Sequence, residues 1–188
     1  MTLVPTPGQT VGPFYGFALP YPDGPYLVPP GSPGAVRFHG RVLDGAGQPV
    51  PDALIEIWQP SPRGDPVRET GSLHRDPFVF TGWGRAATDN AGHYTFSTLR
   101  PGGERPFLAV TVFARGLLDR LFTRAYLPGP GLADDPFLAG VEPGRRETLI
   151  AVDEPGGLRF DIRLQGPGET VFLHFPGQRP GTARPAGR

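Results

Sequence analysis

The side chains able to do chemistry in this chain are few and scattered. Four histidines, His39, His74, His93 and His174, stand far apart and beside no Asp/Glu pattern that would build a metal or acid–base site. His93 falls on the outward face of an expected hairpin and His39 neighbours Phe38, so surface or satisfied-core roles are the expectation for them. Cysteine is absent, which removes disulfides and thiolate ligands and suits a reducing compartment. No Gly-x-Ser-x-Gly elbow supports a Ser-His-Asp triad. Tyr15, Tyr21 and Tyr26 lie in a loop-rich N-terminal region, where packing or interface anchoring is the expected role. All 18 basic residues are arginine, read first as codon bias, and 18 acidic residues balance them. A net charge of zero favours neither nucleic acid nor an anionic membrane as a partner. On these grounds the chain is expected to carry no catalytic residue and no metal site of its own.

The elements that would position such residues read as strands. A chain of 188 residues fits one domain with a sizeable core. Its 28 glycines and 26 prolines are concentrated between alternating segments, which favours an all-β protein with long loops over disorder. Val36 to Leu43 places Val36, Phe38, Gly40 and Val42 on one face, and Ala53 to Trp58 follows a Gly/Pro turn. Arg85 to Thr88, the turn Asp89-Asn90-Ala91-Gly92, and the face Tyr94, Phe96, Thr98 predict a hairpin. Phe107 to Phe113 is nearly continuous and apolar, as for a strand covered on both faces. Leu121 to Leu127, Glu147 to Val152, Leu158 to Gln165 and Thr170 to Phe175 supply further strands. No helix of convincing length is expected. The predicted fold is a two-sheet antiparallel β-sandwich with long Pro/Gly-rich loops. An N-terminal arm and loop occupies residues 1–34, the sandwich residues 35–175, and a disordered tail residues 176–188. The first residues lack the basic and apolar regions of a signal peptide, and no apolar run reaches membrane-spanning length, so a soluble cytoplasmic protein is expected.

One segment carries a resemblance. RVLDGAGQPVPDALIEIWQPSPRGD, from Arg41 to Asp65, resembles the core of the intradiol ring-cleaving dioxygenases, non-haem ferric enzymes that open catechol rings. The family binds iron through paired tyrosinates and paired histidines, hard ligands suited to Fe(III). By that resemblance the first tyrosine position is Pro66, in the loop after Trp58-Gln59. Alignment of Arg105-Pro106-Phe107 with the family's strand entry puts Leu108 and Val110 where the histidines would stand. The second tyrosine would fall in Pro101-Gly102-Gly103-Glu104, which has none.

Further motifs resemble the chain type of two-subunit members that holds no iron: TPGQTVGPF (Thr6 to Phe14), FARGLLDRLFTRAYL (Phe113 to Leu127), RRETLIA (Arg145 to Ala151) and RFDIRLQGPGETVFLHF (Arg159 to Phe175). They occur in order over roughly residues 5–175 and leave the loop from Pro20 to Gly34 unplaced. The resemblance implies that a homologous beta subunit carries the Fe(III), with a small aromatic substrate bound at the interface. This chain's arm would then supply Thr10, Gly12, Pro13 and Phe14 to the pocket wall. Glycine there permits close backbone approach and proline stiffens the turn, although an ordinary turn would use the same dipeptide. Phe14 stands where such chains often have tyrosine, so a phenolic hydrogen bond would be missing. Arg124 is the side chain expected to reach the pocket and meet a carboxylate; pairing with an acidic residue across the subunit interface is the alternative of equal standing. Arg115, Arg145 and Arg146 are expected in interface or surface ion pairs. Two other functions remain open at this point. One is a self-sufficient dioxygenase with a different ligand set. The other is a non-enzymatic transthyretin-like or carbohydrate-binding β-sandwich module that shares only the strand–turn–strand element.

Overall fold

The computed structural model describes residue 12, residues 15–69 and residues 76–175. Alternation of apolar and polar side chains builds two facing sheets, as period-two patterning requires. The first contains β1 (Ala35–Leu43), β4 (His93–Leu99), β7 (Val152–Glu154) and β8 (Gly157–Arg159), in the order β4-β1-β8-β7, with β9 (Ile162–Arg163) also paired to β1. The second contains β2 (Leu54–Trp58), β3 (Trp83–Ala87), β5 (Phe107–Phe113) and β6 (Leu121–Tyr126), in the order β3-β2-β5-β6. Phe38, Val42, Tyr94, Phe96, Leu158, Phe160 and Ile162 from the first sheet meet Ile55, Ile57, Ala86, Leu108, Val110 and Val112 from the second in one core. Helices are single turns: α1 (Tyr15–Ala18), α2 (Pro136–Ala139) and α3 (Pro143–Arg146).

The sandwich departs from the sequence expectation in four places. The second sheet is antiparallel, but the first is mixed, because β8 and β9 both run parallel to β1. The chain from β8 to β9 stays on one side of β1 and breaks its ladder at Phe160-Asp161. There the Asp161 carboxylate accepts the Arg41 N–H at 3.0 Å in place of a backbone carbonyl. The expected hairpin at Asp89–Gly92 is instead a corner between sheets: β3 pairs with β2, and β4 with β1. Thr88 turns that corner, its hydroxyl accepting from Ala53 N–H and donating to Val50 O, both at 2.9 Å. Glu147 to Leu149 forms a tight helical turn before Ile150 bridges Tyr126. Thr170 to Phe175 forms no strand and is held by single contacts: Thr170 N–H donates to Arg163 O at 3.0 Å, Val171 O accepts from Thr123 Oγ1 at 2.8 Å, and Leu173 bridges Phe122. β5 buries Leu108, Val110 and Val112 but leaves Phe107, Ala109, Thr111 and Phe113 half-buried, so its second face is incompletely covered.

The loop from Pro20 to Gly34 seals one side of the sandwich. Gly24 O accepts from Arg85 N–H of β3 at 2.9 Å, and Pro25 O accepts from Ser97 N–H of β4 at 3.0 Å. Leu27 and Val28 N–H both donate to Ser97 O, and the Leu27 side chain enters the core. One outermost strand of each sheet, β3 and β4, is thereby met by a single segment, which explains why a Pro/Gly-rich stretch is held in place.

Across the outer face of the first sheet, His39 Nε2 lies 3.3 Å from Glu154 Oε2. Burial lowers the His39 pKa most, Arg37 adds to this, and Glu154 opposes it. A histidine with a lowered folded pKa takes up its proton more readily once unfolded. Stability should therefore decline as pH falls below the unfolded value of 6.5. A denaturant midpoint followed from about pH 7 to about pH 5.5 should drop for the native chain and stay flatter for His39→Gln.

Candidate functional site

The positions that the resemblance assigns to metal ligands can be located one by one. Leu108 and Val110 point inward from β5 and are completely buried between the sheets. Pro66 follows the turn at the end of β2, and Pro101–Glu104 follows β4. These two loops touch backbone to backbone: Gly102 N–H donates to Ser61 O at 3.0 Å, and a Cβ on Gly102 would stand 2.1 Å from Pro62 O. The loops that would carry the tyrosines thus converge, yet proline and glycine line their contact. Gln59 next to them is completely buried and fully used, donating to Leu99 O at 2.7 Å and accepting from Thr98 Oγ1 at 2.7 Å. Among the described residues no group of three or more His, Cys, Asp or Glu side chains is arranged to hold a metal ion. His93 accepts from Arg41 Nε at 2.6 Å, and its Nδ1 faces Asp89 at 3.5 Å. His174 is exposed, and His74 lies outside the described residues. Of the phenols, Tyr94 is buried and donates to Phe160 O, and Tyr126 is committed to a different network. These groups do not fit a ferric centre.

The outer face of the second sheet gathers aromatic and cationic side chains instead. One register row reads Trp83, Trp58, Ala109, Arg124 from β3 to β6. The two arginines on this face differ in how they are satisfied. Arg85 is neutralised within the chain: Nε and Nη2 donate to Glu56 Oε1 at 2.9 and 2.6 Å, and Nη1 donates to Leu19 O at 2.9 Å. Arg124 forms no ion pair with a carboxylate among the described residues. Its guanidinium carbon lies 4.4 Å from the Phe107 ring centroid and 4.9 Å from that of Phe137, both within cation–π range. Nη1 donates to Tyr126 Oη at 2.8 Å, and Tyr126 Oη donates in turn to Asp135 Oδ1 at 3.4 Å. Burial raises the Tyr126 pKa, so the phenol stays protonated and able to donate; the Arg124 hydrogen bond opposes that rise. Asp135 also caps α2, accepting from Phe137 and Leu138 N–H at 2.8 and 3.0 Å.

Of the five pocket residues expected from sequence, Thr10, Pro13 and Phe14 lie outside the described residues. Gly12 is described, with φ 68° and open space where a Cβ would stand. That is the left-handed region that glycine occupies without strain. Arg124 is half-buried on the outer face of β6. Arg115 pairs with Asp52 at 3.4 Å and Arg145 with Glu169 at 3.4 Å, whereas Arg146 donates to the carbonyls of Val141 and Ala139. Sequence reasoning missed Tyr126, Asp135, Phe107 and Phe137. The signals were present: Arg124 and Tyr126 alternate onto one strand face, and Asp135-Pro136 is a helix-start pair.

Comparison with known proteins matches residues 12–107 to the Dioxygenase family model. The chain is also 37% identical, over 90% of its length and 96% of the relative's, to the protocatechuate 3,4-dioxygenase alpha chain of Pseudomonas putida. This chain belongs to the intradiol ring-cleavage dioxygenase family. The beta chain of protocatechuate 3,4-dioxygenase from Burkholderia cepacia is 36% identical over 68% of this chain and 63% of its own length, so both chain types are relatives of the present one. Among solved structures, the dioxygenase domain of a carbohydrate-binding fusion protein from Streptomyces sp. SirexAA-E superposes with a TM-score of 0.57 at 27% identity, covering 87% of this chain and all of that one. Family membership favours the dioxygenase reading over a bare binding module, because the match covers 90% of this chain and not the strand–turn–strand element alone.

Proposed function

We propose that this chain is the iron-free alpha-type subunit of a protocatechuate 3,4-dioxygenase, acting in cytoplasmic aromatic catabolism. Its partner is a homologous beta-type subunit that holds the Fe(III). Together they cleave 3,4-dihydroxybenzoate between its hydroxylated carbons to give 3-carboxy-cis,cis-muconate. The observation that carries this reading is the completely buried, apolar pair Leu108 and Val110, at the positions where the family resemblance calls for histidine. A ferric ion placed there would face hydrocarbon on both sides, without the anionic or imidazole donors it requires. Similarity to the Pseudomonas putida alpha chain over nearly the whole length supports the same assignment.

In this reading the N-terminal arm reaches the partner, and its Thr10, Gly12, Pro13 and Phe14 wall the substrate pocket. Arg124 offers its guanidinium to the substrate carboxylate. The chain's contribution is geometric and electrostatic: it excludes water, shapes the cavity and orients an anionic ring. The test is to purify the chain alone and together with a beta-type chain bearing the tyrosine and histidine pairs. The lone chain should contain almost no iron and consume no oxygen with protocatechuate, whereas the complex should contain stoichiometric iron and turn over. Stoichiometric iron with activity in the lone chain would refute the proposal and favour a self-sufficient enzyme.

A further inference from the structure

We propose that Tyr126 and Asp135 are positioning residues, which hold Arg124 so that one edge of its guanidinium is presented to a carboxylate ligand. This rests on the reading of Arg124 given above and deepens it. The guanidinium is clamped from several directions. The Phe107 and Phe137 rings lie 4.4 and 4.9 Å from its central carbon, and Tyr126 Oη takes Nη1 at 2.8 Å. Tyr126 is itself completely buried, so its oxygen is a fixed point. Asp135, 7% exposed, accepts the phenolic proton at Oδ1, which leaves the phenol's lone pairs for Arg124. The two backbone N–H groups at the start of α2 hold that same Oδ1, so the carboxylate cannot swing away to pair with the arginine directly.

What this leaves is the opposite edge of the fork. Nε and Nη2 make no hydrogen bond among the described residues, and together they form the side-on pair of donors that matches a carboxylate bidentately. An arginine free to rotate would lose side-chain entropy on binding; this one has already lost it on folding. Arg85, on the same sheet face, shows the contrasting outcome, since Glu56 takes its equivalent edge through Nε and Nη2. The remaining edge therefore suits a carboxylate; on the reading above this is the carboxylate of the aromatic substrate, with the recognition energy directed there and not at the ring hydroxyls.

The assembled two-subunit protein provides the test. Anaerobic calorimetric titration with protocatechuate, and with catechol, which lacks the carboxylate, would be carried out for the native protein, Arg124→Met, Tyr126→Phe and Asp135→Asn. Tyr126→Phe keeps the ring and removes the relay oxygen. It should weaken protocatechuate binding about fivefold while leaving catechol binding unchanged. Asp135→Asn keeps an oxygen acceptor for the phenol and for the α2 cap, and should retain most of the native discrimination. Equal loss for both ligands in Tyr126→Phe would show a merely structural residue and overturn the proposal. Native discrimination in Tyr126→Phe, with discrimination lost in Arg124→Met, would also overturn it while leaving the Arg124 reading intact. Native discrimination in Arg124→Met would remove that parent reading instead, and the relay with it.

Discussion

Arg124→Met in the assembled protein should raise KM for protocatechuate roughly thirtyfold and change kcat far less. A charge-assisted hydrogen bond to a carboxylate contributes about 2 kcal/mol, which corresponds to that factor. Methionine keeps the apolar stem against Phe107 and Phe137, so the fold should survive; what disappears is the cation. Arg124→Lys should not restore native affinity, because a single ammonium cannot satisfy Tyr126 Oη and also present two parallel donors to a carboxylate. Steady-state kinetics at varied protocatechuate decides the matter, with a sedimentation measurement of subunit association alongside. If Arg124 instead pairs with an acidic side chain of the beta subunit, association will weaken and KM at saturating partner will not move. That pattern would transfer the residue from substrate to interface.

Gly40→Ala should destabilise the sandwich by about 3 kcal/mol or more and lower the melting temperature by about 10 °C. Gly40 lies in the middle of β1, where the chain returning from β8 crosses closely. A Cβ at Gly40 would sit 1.9 Å from Phe160 O and 2.6 Å from Phe160 C. Those atoms are backbone, not the end of a flexible side chain, so Phe160 itself must move. It is held by the bond from its N–H to His39 O at 2.8 Å and by Tyr94 Oη, which donates to its carbonyl. Displacing it would leave the buried Tyr94 hydroxyl without its acceptor, and an unsatisfied buried group adds to the cost of overpacking. Thermal unfolding followed by circular dichroism reads the effect. A melting temperature within about 2 °C of native would contradict the close approach.

Much of this architecture is legible in the residues, and the limits follow from what local chemistry encodes. The alternation of Phe38, Gly40 and Val42 against Arg37, His39 and Arg41 gives the buried face of β1 directly, and Phe160 and Ile162 against Arg159 and Asp161 do the same for the return segment. The turn at Asp89–Gly92 is equally visible, with Gly92 at φ 73° and its N–H donating to Asp89 O. A turn, however, specifies a reversal of direction and not the strand that will accept the ladder. Both Ala86 and Phe96 need the same core, and facing sheets satisfy them as well as a hairpin would. The parallel pairing of β8 and β9 with β1 was hidden for a related reason, since it depends on contacts about 120 residues apart, such as that between Arg41 and Asp161. At the candidate site, Arg124 was reached through resemblance, but the phenol and carboxylate that hold it were not. Each is an ordinary residue until the backbone brings Asp135 beside β6.

The segment around Gly24 to Leu27 has a consequence for how copies of this protein behave at high concentration. It occupies the hydrogen-bonding rims of β3 and β4, and bridges from Ile150 and Leu173 touch the rim of β6. The remaining outermost strand, β7, is three residues long and carries Asp153 and Glu154. A neighbouring molecule seeking to extend either sheet would meet crossing backbone at three borders and, at the fourth, a three-residue strand whose Asp153 and Glu154 are held in ion pairs with Arg100 and Arg159. Resistance to fibrillar stacking is thus built into the chain's path, before any partner arrives to shield it.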